Sequence, residues 1–163
     1  MFRAGILTVS DKAYAGERAD TAGPELGRLL PEQQFEVAAT AIVPDEKEAI
    51  AALLREWCDC QAIHLILTTG GTGLSPRDVT PEATLQVAER LVPGLPEAMR
   101  AAGLNKTPHA MLSRGVAVIR GCSLIVNLPG SPKGARENLT AILPALPHAL
   151  EKLAGDPSEC GAL

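Results

Sequence analysis

Three short apolar runs, Ala4 to Val9, Phe35 to Val43 and Ile63 to Leu67, each break off at a polar or glycine-rich turn. Behind each one, apolar residues return at helical spacing. Ala22, Leu26, Leu29 and Leu30 mark one helix, stopped by Pro31. Ala49, Ile50, Leu53, Leu54 and Trp57 mark a second, with Asp45 at its N-cap position and Glu48 three residues on. Thr80-Pro81 opens a third as a hydroxyl cap followed by a residue whose missing N–H costs nothing, and Thr84, Val87, Ala88 and Leu91 continue it. Short strands alternating with helices predict an α/β fold, a mainly parallel sheet with helices on both faces.

The rest of the chain adds detail to that frame. A short helix is expected after Pro93-Gly94, and a loop over Thr107 to Ser113. Val116 to Ile119 and Ser123 to Leu128 read as a hairpin turning at Arg120-Gly121-Cys122, so at least one strand is antiparallel. Pro129-Gly130-Ser131-Pro132 opens a last helical region that Pro144 and Pro147 divide. With 163 residues and no internal repeat or linker, one domain over 1–155 is expected, and 156–163 read as a flexible C-terminal tail. Only Phe2, Tyr14, Phe35 and Trp57 are aromatic, so the core must come from Ala, Leu, Ile and Val.

Charge and composition narrow the function. Net charge is −4 with no cluster of Lys and Arg, which disfavours nucleic acid as a partner. No apolar run reaches the roughly 18 residues of a membrane span, and the first strand is too short for a signal peptide. Cys58 and Cys60 fall about 200° apart on a helix and cannot share a metal. With Cys122 and Cys160 they read as reduced thiols of a cytoplasmic protein.

In open α/β sheets, ligands gather beyond the carboxyl ends of the strands. Four turns fall there: Ser10-Asp11, Pro44-Asp45, Thr69 to Gly73 with Pro76-Arg77-Asp78, and Asn127 to Gly130. The loop Thr69-Gly70-Gly71-Thr72-Gly73 could offer consecutive N–H groups as an anion-binding nest, or be a plain tight turn. It lacks the lysine of a P-loop. Asp78 is either a turn former or a site residue, and Asp45 either a helix cap or a site residue. Together beside a phosphate-holding loop, they have a joint use in binding Mg²⁺ against a phosphoryl group. Asn127 to Lys133 is either a strand-to-helix turn or a second phosphate seat with Lys133 as its cation. His64 reads as packed, and His109 and His148 have no evident partner.

Leu67 to Gly73, then Pro76-Arg77-Asp78-Val79-Thr80-Pro81-Glu82-Ala83-Thr84, closely resembles the signature of the MogA/MoaB family. Val9-Ser10-Asp11, Val43-Pro44-Asp45-Glu46, Pro93-Gly94, Met111 to Gly121 and Asn127-Leu128-Pro129-Gly130 also match, so the likeness runs from about Arg3 to Leu153. It implies a three-layer αβα sandwich, the molybdopterin-binding fold, as a homotrimer. It also implies attack by the terminal phosphate of molybdopterin on the α-phosphate of Mg-ATP, releasing pyrophosphate. Asp45 and Asp78 fall on the family's essential acids. Ser10, Asp11, Thr69, Gly70, Gly71, Thr72, Gly73, Asn127, Pro129 and Gly130 fall on its substrate-binding positions. A downstream molybdate-insertion protein would take the product.

The chain departs from the pattern at Gly103-Leu104, where relatives have Ser-Leu near the pterin, and at Lys12, where Arg is common. Gly103 keeps open a second reading, a pterin carrier without chemistry. A third, the molybdate-inserting ligase, lacks the additional domains that relatives performing that step carry.

Overall fold

A computed structural model describes residues 1–32 and 34–157. Six strands form one sheet: β1 (Phe2–Val9), β2 (Phe35–Val43), β3 (Leu65–Thr69), β4 (Arg90–Leu91), β5 (Ala117–Arg120) and β6 (Ser123–Leu128), in the order β2-β1-β3-β6-β5-β4. β2, β1, β3 and β6 run parallel, while β5 and β4 are antiparallel additions at one edge. The helices are α1 (Asp11–Tyr14), α2 (Ala22–Leu29), α3 (Lys47–Asp59), α4 (Thr80–Val87), α5 (Gly94–Leu104), α6 (Pro132–Ile142) and α7 (Leu146–Leu153).

Strand alternation divides the core in two. Ile6, Leu65, Leu67, Leu124 and Val126 face Leu26, Met99, Leu139 and Leu150 of α2, α5, α6 and α7. Their chain neighbours Leu7, Ile66 and Ile125 face Ile50, Leu54, Trp57, Ala83 and Val87 of α3 and α4. The result is the three-layer αβα sandwich. The single Trp packs so close to β1 that a Cβ at Gly5 would stand 2.7 Å from its ring. Among the described residues no helix is long and apolar enough to cross a membrane.

Several local expectations change. Helix α4 stops at Val87: Glu89 N–H donates to Ile119 O and Val92 N–H to Ala117 O, so sheet pairing at the β5 edge displaces a last helical turn through Leu91. Asp45 is not the cap of α3, which starts after Glu46 without a side-chain cap bond. Thr80 is the first residue of α4 rather than its cap; Val79 holds that place. Helix α1 has too few residues to leave a periodic signal, and Thr107 to Ser113 is a 3-10 turn at Pro108–Leu112 rather than a plain loop. His64 is packed as expected, its Nδ1 accepting from Arg3 N–H at 2.9 Å. A 3-10 turn at Leu143–Ala145 divides the last helical region. Cys58, Cys60 and Cys122 are free thiols; Cys160 and residues 158–163 of the expected tail lie outside the described residues.

Candidate active site

Parallel register sets the strand ends level. Val9 pairs with Val43, Thr8 with Thr69, and Thr69 with Leu128. Ser10-Asp11, Pro44-Asp45, Gly70-Gly71 and Pro129-Gly130 are therefore neighbours at one edge of the sheet. Residues from each of these turns border a cleft of about 760 Å³ whose wall includes Ser10, Arg18, Asp20, Asp45, Thr69, Gly70, Gly71, Asp78, Gly130 and Ser131.

The floor is a close backbone packing that only glycine permits. Gly70 has φ +104°, and a Cβ there would lie 2.2 Å from Val9 O. Gly71 has φ +66°, and its Cβ would meet the Thr80 hydroxyl at 2.3 Å. That hydroxyl instead donates to Gly70 O at 2.8 Å, and Thr69 Oγ1 donates to Pro129 O at 2.7 Å. Gly70 N–H is spent on Leu128 O, so of the two readings of this loop that amide follows the tight turn and not the anion-binding nest. The glycines here serve close approach.

Asp45 and Asp11 clasp each other across the ends of β2 and β1. Asp11 N–H donates to Asp45 Oδ2 at 2.8 Å, and Asp45 N–H donates to Asp11 Oδ1 at 3.0 Å. Arg77 grips both oxygens of Asp11 through Nε and Nη2, at 3.0 and 2.8 Å. Its guanidinium holds the Asp11 carboxyl below the usual carboxylate range. Burial pushes the Asp45 carboxyl up, and the charges of Asp11 and Asp78 add to the effect. Asp78 Oδ2 accepts from Ser75 N–H at 2.9 Å, and Gly73 leaves the room this carboxylate occupies.

Ser10, Asp45, Thr69, Gly70, Gly71, Asp78 and Gly130 thus share the cleft. The other sequence-derived candidates stand behind it. Asp11 supports Asp45, Thr72 is buried, Gly73 backs Asp78, and the Pro129 carbonyl is spent on Thr69. Asn127 is only 2% exposed. Its amide donates to Thr68 and Thr84 hydroxyls at 3.0 and 2.9 Å, while Oδ1 accepts from Val116 N–H. It ties β3, α4 and β6 together inside the fold instead of facing a ligand, because its polar atoms meet donors and acceptors only there. Lys133 is exposed and off the wall.

The cation on the wall is Arg18, whose Nη2 donates to Ser10 Oγ at 3.2 Å. Arg18 and Asp20 were missed because they sit in the aperiodic stretch before α2. Asp20 accepts from the Thr8 hydroxyl at 2.7 Å and from Gly23 N–H at 3.0 Å, anchoring that stretch. A polar segment joining a strand end to a helix was the available signal.

A cleft over parallel strand ends, a side-chain-free floor and three carboxylates on its wall, Asp20, Asp45 and Asp78, define a nucleotide- or phosphate-handling α/β protein. A family model described as "Probable molybdopterin binding domain" matches residues 5–148. The molybdopterin adenylyltransferase of Haemophilus influenzae is 46% identical over 144 residues, 87% of this chain and 73% of that protein. The molybdenum cofactor synthesis protein cinnamon of Drosophila melanogaster is 44% identical over 155 residues, and the chain spans only about a quarter (26%) of its length. The crystal structure of the molybdopterin biosynthesis enzyme MoaB of Thermus thermophilus superposes with a TM-score of 0.91 at 59% identity, covering 98% of this chain and 100% of that one. The chain belongs to the molybdopterin-binding domain family, in the MogA/MoaB group that includes molybdopterin adenylyltransferases.

Proposed function

We infer that this chain is a molybdopterin adenylyltransferase of molybdenum cofactor synthesis, transferring AMP from ATP to the terminal phosphate of molybdopterin. The observation that carries this is the meeting of Asp45 and Asp78 on one wall of a cleft floored by Gly70-Gly71. In the reaction a phosphate oxygen of molybdopterin forms a bond to the α-phosphorus of ATP. The bond from that phosphorus to the bridging oxygen breaks, and pyrophosphate leaves with the electron pair.

The two carboxylates fit a divalent cation. Asp45 Oδ1 has no donor among the described residues, and the charge of Asp78 bears on Asp45. Mg²⁺ takes one or two carboxylates and fills its other positions with water and phosphate oxygens, and would offset charge developing on the phosphoryl group. Arg18 draws the phosphates toward Ser10, and the bare floor lets them reach the backbone. The Asp11 N–H and the Arg77 charge favour the ionised form of Asp45 and keep it aimed.

Gly103, the residue that favoured a pterin carrier, lies in α5 off the cleft wall, where a Cβ would press on Ala110 Cβ at 2.7 Å. Its missing hydroxyl therefore leaves the cleft of this chain intact. A single domain, a homotrimer, a cytoplasmic location and hand-over of the product to a molybdate-inserting protein belong to the same proposal. Incubation with molybdopterin, Mg²⁺ and α-labelled ATP should give labelled product and pyrophosphate. Pterin binding with no pyrophosphate release would establish the carrier instead. Light scattering at three times the chain mass checks the trimer.

A further inference from the structure

Residues 74–77, which lead to Asp78, are all exposed. No strand or helix carries them. We propose that Arg114 is the positioning residue that sets Asp78 in the cleft, an inference that rests on the reading of Asp78 as an acid of the reaction. Arg114 stands between the 3-10 turn and β5. Its N–H donates to Thr72 O at 2.9 Å. Its Nε donates to Gly73 O at 2.8 Å, and its Nη2 to Asp78 O at 2.6 Å. Its Nη1 pairs with Glu82 in the first turn of α4.

One side chain therefore fastens both ends of the exposed loop, and the helix start behind it, to a single plane. The guanidinium suits this because its donors form a rigid fork; an ammonium on a flexible stem cannot hold two carbonyls and a carboxylate in fixed directions. The base of the fork is itself braced. Arg100 of α5 donates through Nη1 to Gly115 O at 3.2 Å and more weakly to Ser113 O. Gly115 is buried, and a Cβ there would stand 3.1 Å from Asn127 O. Asn127 in turn accepts Val116 N–H on Oδ1. Asn127 thus enters the site indirectly, by fixing the segment from which Arg114 reaches.

The test compares Arg114→Lys and Arg114→Ala in the presence of Asp78 and of Asp78→Asn. Arg114→Lys should lower kcat about tenfold and Arg114→Ala more, with KM for ATP and molybdopterin within about threefold. On the Asp78→Asn background the same changes should cost less than about threefold further, because the aim of an absent acid no longer matters. Equal losses on both backgrounds, or a raised KM with kcat intact, would overturn the proposal. Should Arg114→Ala fail to fold, Arg114→Lys, checked by circular dichroism and melting, carries the comparison. A second measurement needs no turnover: in the ligand-free protein, the hydrogen-bonded amides of Ser75 and Asp78 should exchange about tenfold faster or more in Arg114→Lys, with those of Leu7 and Val9 unchanged. Unaltered exchange at Ser75 and Asp78 would overturn the hold of Arg114. A wild-type protein that released no pyrophosphate would instead overturn the adenylyltransferase reading, leaving the exchange result to decide Arg114.

Discussion

Asp45 and Asp78 face the same cleft but are brought there by different physics. Asp45 stands two residues past the end of β2, where register against β1 is set by pairing from Phe2↔Phe35 to Val9↔Val43 that a single bulge at Ala38 interrupts. Its backbone position is a by-product of the sheet, and its clasp with Asp11 only trims the last step. Asp78 lies nine residues past the end of β3 and follows an exposed loop, so its position is set by side-chain contacts to distant segments: Arg114 holds its carbonyl, and its neighbour Arg77 reaches to Asp11. A site assembled this way has one acid as stable as the core and another only as stable as a few polar contacts.

That contrast can be attacked at four strengths. Asp45→Asn and Asp78→Asn should each lower turnover by about 10²-fold or more, about 2.7 kcal/mol of transition-state stabilisation. Steady-state assays should show pterin binding largely kept; near-normal turnover in both would remove the acids from the reaction. Next comes Gly70→Ala, which meets Val9 O and an unfavourable φ. It should cost roughly 2 kcal/mol of stability in denaturant titrations, because the floor belongs to the sheet and not to the loop.

Smaller still is Arg77→Ala. An exposed pair contributes little, so a loss of roughly two- to fivefold in turnover is expected, with the melting temperature barely moved. A loss as large as that of Asp78→Asn would mean that Arg77 touches substrate. The smallest effect is in acid–base linkage. Burial raises the folded-state pKa of Asp45, so its protonated form is favoured in the native state, and that stabilisation fades as pH rises through the folded pKa. Asp45→Asn should therefore melt at or slightly above the wild type at neutral pH. The gap should close below the ordinary carboxylate pKa of about 3.9, and the opposite trend in melting scans would contradict the burial of this carboxyl.

Legibility in the sequence followed the same division. The runs that became β1, β2, β3 and β6 were readable as short apolar segments, α2 and α3 because each buries a periodic set of residues against the sheet, and α6 from the Pro-Gly turn that opens it. The turns after those strands were readable as a shared site because parallel strands end on one side. Asp45 and Gly70-Gly71 needed nothing more. Asp20, Arg18 and Arg114 left no periodic mark; of the two readings open for Asp45 the cap did not form, since it clasps Asp11, and the cap assigned to Thr80 failed because its buried hydroxyl donates to Gly70 O beneath the floor.

Amino-acid order alone determined the layers, the side of the sheet where ligands gather and the glycine floor, since burial period and backbone sterics act locally along the chain. Only the folded molecule decided that Asn127 turns inward and that Arg18 supplies the cation. It alone decided, too, that an arginine thirty-six residues away holds the carbonyl of Asp78. Those outcomes depend on which polar groups of remote segments come within about 3 Å of one another, a condition that no local pattern encodes.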